Sequence, residues 1–340
     1  MTAGNPAASP GPDPSLRAVR ITAAALCIFG AGVLIWAFHR SPVVFLSATL
    51  LAVVLELPLL IIGWGLIRLA RPLRAPSRLW SAAAVIWGAT AATGCALLAN
   101  QGLTGLWAKG EGVTFASNWA AALTAPLNEE VLKLAGVVMV ALAAPLAIRG
   151  PLDGMIYGAL TGLGFQVIEN VTYGLNSIPE TGATDPVHAV ASSAAVRGLT
   201  APGSHWTMTA VAGAGIGYLT ARGLRRGALP AAACLATAMA MHLVFDAPQP
   251  SILFKVLINF VIVTSFYLRL RRSYLAGARA TLSAQVAAGT IPDSEAAYLL
   301  SWRGRRRRQH SGRPGPDREL VAARRRTALA SIEESAARRR

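Results

Sequence analysis

Two adjacent carboxylates, Glu129 and Glu130, precede Lys133 in the segment Asn-Glu-Glu-Val-Leu-Lys (128–133). On a helix both acids reach that lysine, Glu129 at i,i+4 and Glu130 at i,i+3. One carboxylate can then stay ionised against the ammonium while the other serves as general base toward water. Glu-Glu-x-x-Lys also opens many ordinary helices, where first-turn acids complement the helix dipole. The segment alone therefore specifies no chemistry. Three later apolar runs add the rest: Glu169 with Asn170 in Phe-Gln-Val-Ile-Glu-Asn (165–170), His205 with Thr209 in His-Trp-Thr-Met-Thr (205–209), and His242 with Asp246 in His-Leu-Val-Phe-Asp (242–246). The i,i+4 spacing lets Asp246 orient the His242 imidazole and set its tautomer. His205 and Thr209 share that spacing with a weaker partner. Glu169 and Asn170 offer either a metal ligand with an amide donor or a second acid–base pair, and Phe165, one turn earlier, reads as packing. Ionisable groups are costly in hydrocarbon and persist mainly where they pair or do chemistry. Carboxylates and histidines on four separate apolar runs are the components of a water-activating site.

Two mechanisms fit these residues. In one, His205, His242 and Glu169 hold Zn2+, water takes the open position, and Glu130 removes its proton. In the other no metal takes part: a glutamate activates water and the histidines stabilise the oxyanion. There is no His-Glu-x-x-His, so any metal site must be assembled across helices.

Something must bring four distant segments together, and composition indicates a membrane bundle. Of 340 residues, 54% are hydrophobic and 14% charged, against about 25% charged in soluble domains. Eight apolar stretches, 19–38, 43–67, 79–99, 129–148, 153–175, 204–221, 228–246 and 252–270, each approach the ~20 residues that cross hydrocarbon as a helix. The expected fold is all-α, a polytopic membrane helix bundle of about eight transmembrane helices with a basic cytoplasmic tail. Pro202-Gly203 makes the sixth stretch the least regular, and the preceding run at 188–200 suits a re-entrant or interfacial helix. The first run is long enough to be retained as a signal anchor rather than cleaved. Cys27, Cys95 and Cys234 lie inside apolar runs without CxxC spacing and read as small core residues.

Arginines set the orientation. Arg68, Arg71, Arg74 and Arg78 crowd one connection, Arg149 another, and Arg222, Arg225 and Arg226 a third; Arg40 is a mild exception. Lys109, Glu111, Glu180 and Asp185 mark the opposite side, where Trp107, Trp119 and Trp206 fit an aromatic belt. Both termini are expected in the cytoplasm. Counting ~1.5 Å per residue, Glu169, His205 and His242 then lie ~22–25 Å from the cytoplasmic ends of their helices, with Glu130 at ~28 Å. The motifs converge on one level toward the outer leaflet.

Taken in order, these motifs resemble the PrsW family of intramembrane proteases, within the broader superfamily of CAAX proteases and bacteriocin-processing proteins. The likeness rests on 128–133, Pro-Leu-Asp-Gly-Met-Ile-Tyr-Gly (151–158), Gly-Phe-Gln-Val-Ile-Glu-Asn (164–170), Arg197, His205 with Thr209, and His242 with Asp246. It spans roughly 118–250. The resemblance implies an intramembrane metalloendopeptidase, a hydrolase that cleaves membrane-anchored regulators such as anti-sigma factors. Trp206 departs from the pattern, which places a small residue there, and its bulk is expected to narrow the substrate path.

The chain accordingly divides into a disordered N-terminus (1–18), N-terminal transmembrane segments with an external loop (19–128), a catalytic membrane core (129–270) and a basic cytoplasmic tail (271–340). That tail carries 16 Arg and 6 acids, so anionic lipid headgroups are its expected partner and specific nucleic acid is not. Tyr298, Leu299, Leu300 and Trp302 before the arginines at 305–308 read as an interfacial anchor. Pro314-Gly315-Pro316 then separates an arginine-rich helix at 317–337. Two residues stand outside the motifs' chemistry: Glu56, near mid-membrane beside Leu57-Pro58, and Arg197, which could bind a substrate carbonyl or sit at the interface. An ion-coupled transporter would also bury such groups but usually shows internal repeats, and none is visible. A catalytically silent scaffold of the same fold is the other alternative; both acids at 129–130 are present, which favours an enzyme.

Overall fold

The computed structural model describes residues 14–293, 296, 299–300 and 327–332, and these are helical with no strand. The helices in chain order are α1 (Pro14–Phe38), α2 (Ser41–Val44), α3 (Leu46–Leu69), α4 (Arg78–Trp87), α5 (Thr93–Gly110), α6 (Val113–Ala143), α7 (Pro151–Glu180), α8 (Pro186–Thr200), α9 (His205–Asp246) and α10 (Ile252–Ala287). A π-helical turn at Gly88–Ala92 joins α4 to α5, and a 3₁₀ turn at Ala201–Gly203 leads into α9. Large side chains such as Ile28, Leu66 and Leu253 stand exposed on the outside, as a lipid-facing shell requires.

Five helical segments among the described residues are long and apolar enough to cross a membrane: Pro14–Phe38, Leu46–Leu69, Arg78–Gly110, Pro186–Asp246 and Ile252–Ala287. These five segments do not by themselves confirm the expected count of about eight. The apolar stretches at 204–221 and 228–246 are two helical arms that reverse at Gly223, where φ is +70°, and Gly215 of the first arm packs against Ala231 of the second; both fall within the single segment Pro186–Asp246. In addition, α6 carries three charged residues in its apolar half, Glu129, Glu130 and Lys133, and α7 is rich in glycine and polar residues, so neither is among the five although they run for 31 and 30 residues. Helix α6 also begins at Val113, well before the expected start at 129. The Glu-Glu pair therefore sits mid-helix, not in a first turn. A two-residue link, Glu111-Gly112, stands where a long loop was expected, with Gly112 at φ +90°.

Helix α7 is the centre of the bundle, buried along most of its length. A stripe of small residues makes this possible. A Cβ on Gly158 would overlap the Thr209 carbonyl, and one on Gly162 would lie 2.7 Å from the His205 carbonyl. The α7 and α9 backbones thus touch, which brings His205 beside the α7 residues one to two turns beyond Gly162. At the arginine-bearing end, Asp153 of the 151–158 motif caps α7. It accepts from the Arg149 backbone N–H at 3.1 Å and from Arg71 Nε at 2.6 Å. Its role is structural.

Two buried residues of α10 tie this core together. Lys255 donates to the Ala247 carbonyl, just beyond α9, and Asn259 Nδ2 donates to the Gly203 carbonyl at 3.0 Å, just before it. In the tail, Ile332 is buried in the main core cluster and Gln285 Nε2 donates to Ser331 Oγ at 2.8 Å. Tyr298, Trp302, the arginines at 305–308 and most of 317–337 lie outside the described residues.

Candidate active site

Helix α6 supplies Glu129, Glu130 and Lys133, all buried. Lys133 Nζ lies 2.6 Å from Glu130 Oε1, 3.4 Å from Glu129 Oε2 and 3.2 Å from His205 Nδ1, with the Phe165 ring 4.3 Å away. Burying three charges demands this degree of pairing, since a lone ion there would cost several kcal/mol. Both Glu130 oxygens are committed. Oε1 also meets His242 Nδ1 at 3.0 Å, and Oε2 accepts from Thr209 Oγ1 at 3.0 Å. Thr209, expected to support His205 across one helical turn, instead reaches over to α6.

Glu129 points the other way. Its Oε1 accepts from Asn100 Nδ2 at 2.9 Å, and its Oε2 lies 3.9 Å from His205 Nδ1 and 3.7 Å from His242 Nε2. Each imidazole is backed on its far nitrogen by a carboxylate: His242 Nδ1 by Glu130, and His205 Nε2 by Glu169 at 2.6 Å. The two rings sit 5.0 Å apart, nearly perpendicular. A carboxylate behind one nitrogen leaves the other nitrogen as a lone-pair donor, and here both remaining nitrogens face Glu129.

Glu129, His205 and His242 each offer a ligand atom within 4.8 Å of the others. His242 Nε2 is buried without a hydrogen-bond partner, although Asp246 Oδ2 is 3.3 Å away. An orphaned buried nitrogen normally costs free energy, and a metal would satisfy it. Charge balance agrees. Four carboxylates, Glu129, Glu130, Glu169 and Asp246, surround the imidazoles, against the fixed cations Lys133 and Arg197. With neutral imidazoles the group has a surplus of two negative charges, which a divalent cation would offset. Glu169, expected as third ligand, forms an ion pair with Arg197 and holds His205.

Arg197 on α8 bonds Glu169 and also donates from Nε to Asn170 Oδ1 at 2.6 Å. Asn170 in turn donates to Glu56 Oε2 at 2.9 Å. The two residues that stood apart in the sequence are thus one chain of bonds, running from α3 through α7 and α8 to His205. Trp206 lies outside this cluster, lining an apolar crevice with Ile67, Met155 and Ala210, while its Nε1 donates to the Ala201 carbonyl at 2.9 Å. Asn100, Lys255 and Asn259 were not singled out by sequence reasoning. Lys255 and Asn259, an i,i+4 polar pair in an apolar run, carried the same signal that marked the other motifs.

Residues 76–269, more than half of the chain, match the family described as PrsW family intramembrane metalloprotease. No curated protein and no solved structure gives a significant match.

Proposed function

The chain belongs to the PrsW family of intramembrane metalloproteases and is a protease of the membrane; we propose that Glu129, His205 and His242 hold its metal. The observation that carries this reading is the convergence of Glu129 Oε2, His205 Nδ1 and orphaned His242 Nε2. When bound there, a divalent metal such as zinc would polarise the peptide carbonyl and acidify water. Glu130 and Glu169 hold the two imidazoles in the tautomers that leave His242 Nε2 and His205 Nδ1 as lone-pair donors on the Glu129 side, where His205 Nδ1 also meets Lys133 Nζ at 3.2 Å. Lys133 balances the charge of the α6 acids, and Arg197 with Asn170 fixes Glu169. Asp246, one-fifth of its side chain exposed, is the more open of the carboxylates at the imidazoles and takes the water proton.

Lys133 Nζ favours a second, metal-free reading, because it already places a cation within 3.4 Å of Glu129 and 3.2 Å of His205 Nδ1. In that case Glu129 is the base and the histidines steady the oxyanion.

In either case α6 and α7 cross the membrane beside the five apolar segments, and 186–246 crosses twice by reversing at Gly223, so that eight crossings leave both termini facing the cytoplasm. The site then lies toward the outer leaflet, where it cleaves single-pass membrane-anchored proteins, anti-sigma factors being the class that the family resemblance suggests. The test uses purified full-length chain reconstituted with a single-pass anti-sigma factor. About one zinc per chain is expected, with cleavage lost to a chelator and restored by metal, and with Glu129→Gln losing both metal and cleavage. Metal-free protein that cleaves at full rate would overturn the metal reading and leave the second. Absence of cleavage in metal-replete protein across a panel of single-pass substrates would count against proteolysis of this class.

A further inference from the structure

A polar cavity lies at the opposite end of the bundle from the His242–Asp246 motif. It measures about 450 Å³ and opens between α1, the connection from α3 to α4, and the connection from α6 to α7. Arg20, Arg71, Arg74 and Arg149 line it together with Trp80 and Tyr157, and among the described residues no carboxylate lines it. Asp153 balances Arg71. Two of the others are held by groups that position a guanidinium without cancelling its charge. Arg20 Nη2 donates to the Ala143 carbonyl at 3.1 Å and its guanidinium lies 5.5 Å from the Trp80 ring centre; Arg149 Nε donates to the Leu146 carbonyl at 3.0 Å. Leu146, which lines the cavity, is exposed, as are Ile21 and Leu79, next in sequence to the lining residues Arg20 and Trp80, so the basic mouth borders an apolar, lipid-facing surface.

We propose that this cavity binds the phosphate of an anionic phospholipid headgroup. A phosphodiester is the anion that guanidinium groups clasp best, and basic pockets between membrane helices hold such headgroups. The adjoining Ile21 and Leu79 favour a lipid over free phosphate, since acyl chains can lie along them while the headgroup enters. The site is separate from the proteolytic cluster, and it does not depend on the protease reading.

Native mass spectrometry of the full-length protein in detergent, titrated with phosphatidylglycerol or phosphatidylcholine, tests this. Wild-type protein should take up phosphatidylglycerol in preference to phosphatidylcholine. The variant Arg20→Gln/Arg74→Gln/Arg149→Gln should bind phosphatidylglycerol at least ~10-fold more weakly, as expected for the loss of three basic contacts. Arg20→Lys/Arg74→Lys/Arg149→Lys, which loses the same carbonyl contacts but keeps the charge, should retain most of the binding. Arg305→Gln/Arg306→Gln/Arg307→Gln, which removes the same charge from the tail, should leave binding unchanged. The proposal fails if the tail variant loses as much as the glutamine variant of the cavity, if the lysine variant falls as far as the glutamine one, if phosphatidylcholine binds equally, or if millimolar inorganic phosphate displaces the lipid.

Discussion

Replacing Lys133 with methionine removes the buried ammonium that Glu130 meets at 2.6 Å and Glu129 at 3.4 Å. Breaking a buried pair from one side costs about 3–5 kcal/mol, because the partner charge is left uncompensated. Glu130 keeps Thr209 and His242 as partners, so Lys133→Met should fall near the low end, at about 3 kcal/mol. Glu130→Gln should cost a similar amount, since the stranded ammonium keeps Glu129. The double variant removes both charges and leaves an amide that still accepts from Thr209. Its expected cost is again about 3 kcal/mol rather than the additive ~6, a coupling of ~3 kcal/mol. Equilibrium unfolding of the four proteins in detergent micelles measures the cycle. Cleavage by the double variant should stay low, because His242 has lost the carboxylate behind Nδ1. Additive losses, or a Lys133→Met protein as stable as the parent, would show that the Glu-Glu-Lys cluster is not the dry, mutually dependent group described.

Other substitutions test the remaining parts of the site. His205→Ala and His242→Ala should each reduce cleavage at least ~100-fold while the protein still inserts, the scale of losing acid–base or ligand function; full activity in both would remove the site. Arg197→Lys should lower the rate roughly 10-fold, because an ammonium cannot reproduce the fork onto Glu169 and Asn170, and an unchanged rate would mean that Glu169 needs no such support. Gly158→Val should destabilise the bundle by about 3 kcal/mol or more, since backbone at Thr209 blocks the new side chain; a neutral effect on the unfolding midpoint would contradict the contact between α7 and α9. In a background without Cys27, Cys95 and Cys234, single cysteines at Glu111 and Asp185 should react with an impermeant thiol reagent outside intact cells. Cysteines at Arg74 and Arg225 should not, and reversed labelling would invert the topology.

Much of the site was legible because ionisable residues in apolar runs are rare enough to be conspicuous. Glu129, Glu130, Lys133, Glu169, Asn170, His205, His242 and Asp246 all carried that signal, and the structure brings them into one bonded group. The same signal marked Glu56 but not its partner, since nothing local ties α3 to Asn170 on α7. Helix limits were less legible. Pro126 lies inside α6, so the helix that carries the two glutamates starts four turns earlier than its apolar run. Gly223, an ordinary residue in the sequence, supplies the positive φ that folds α9 back on itself.

The helical membrane character, the family and an expected height of each motif along its helix came from the sequence by itself. A fixed rise per residue turns sequence distance into depth along a helix axis. It says nothing about how neighbouring helices are rotated or how closely they approach. That was decided by tertiary packing: the glycine contacts of α7 on α9 and the grip of Lys255 and Asn259 at the two ends of α9. The resulting rotation turns Glu129 toward both histidines and leaves Glu169 behind one of them with Arg197. Which carboxylate faces the imidazoles and which one backs them is therefore a property of the packed bundle, because several helices must meet before any of these oxygens acquires its neighbours.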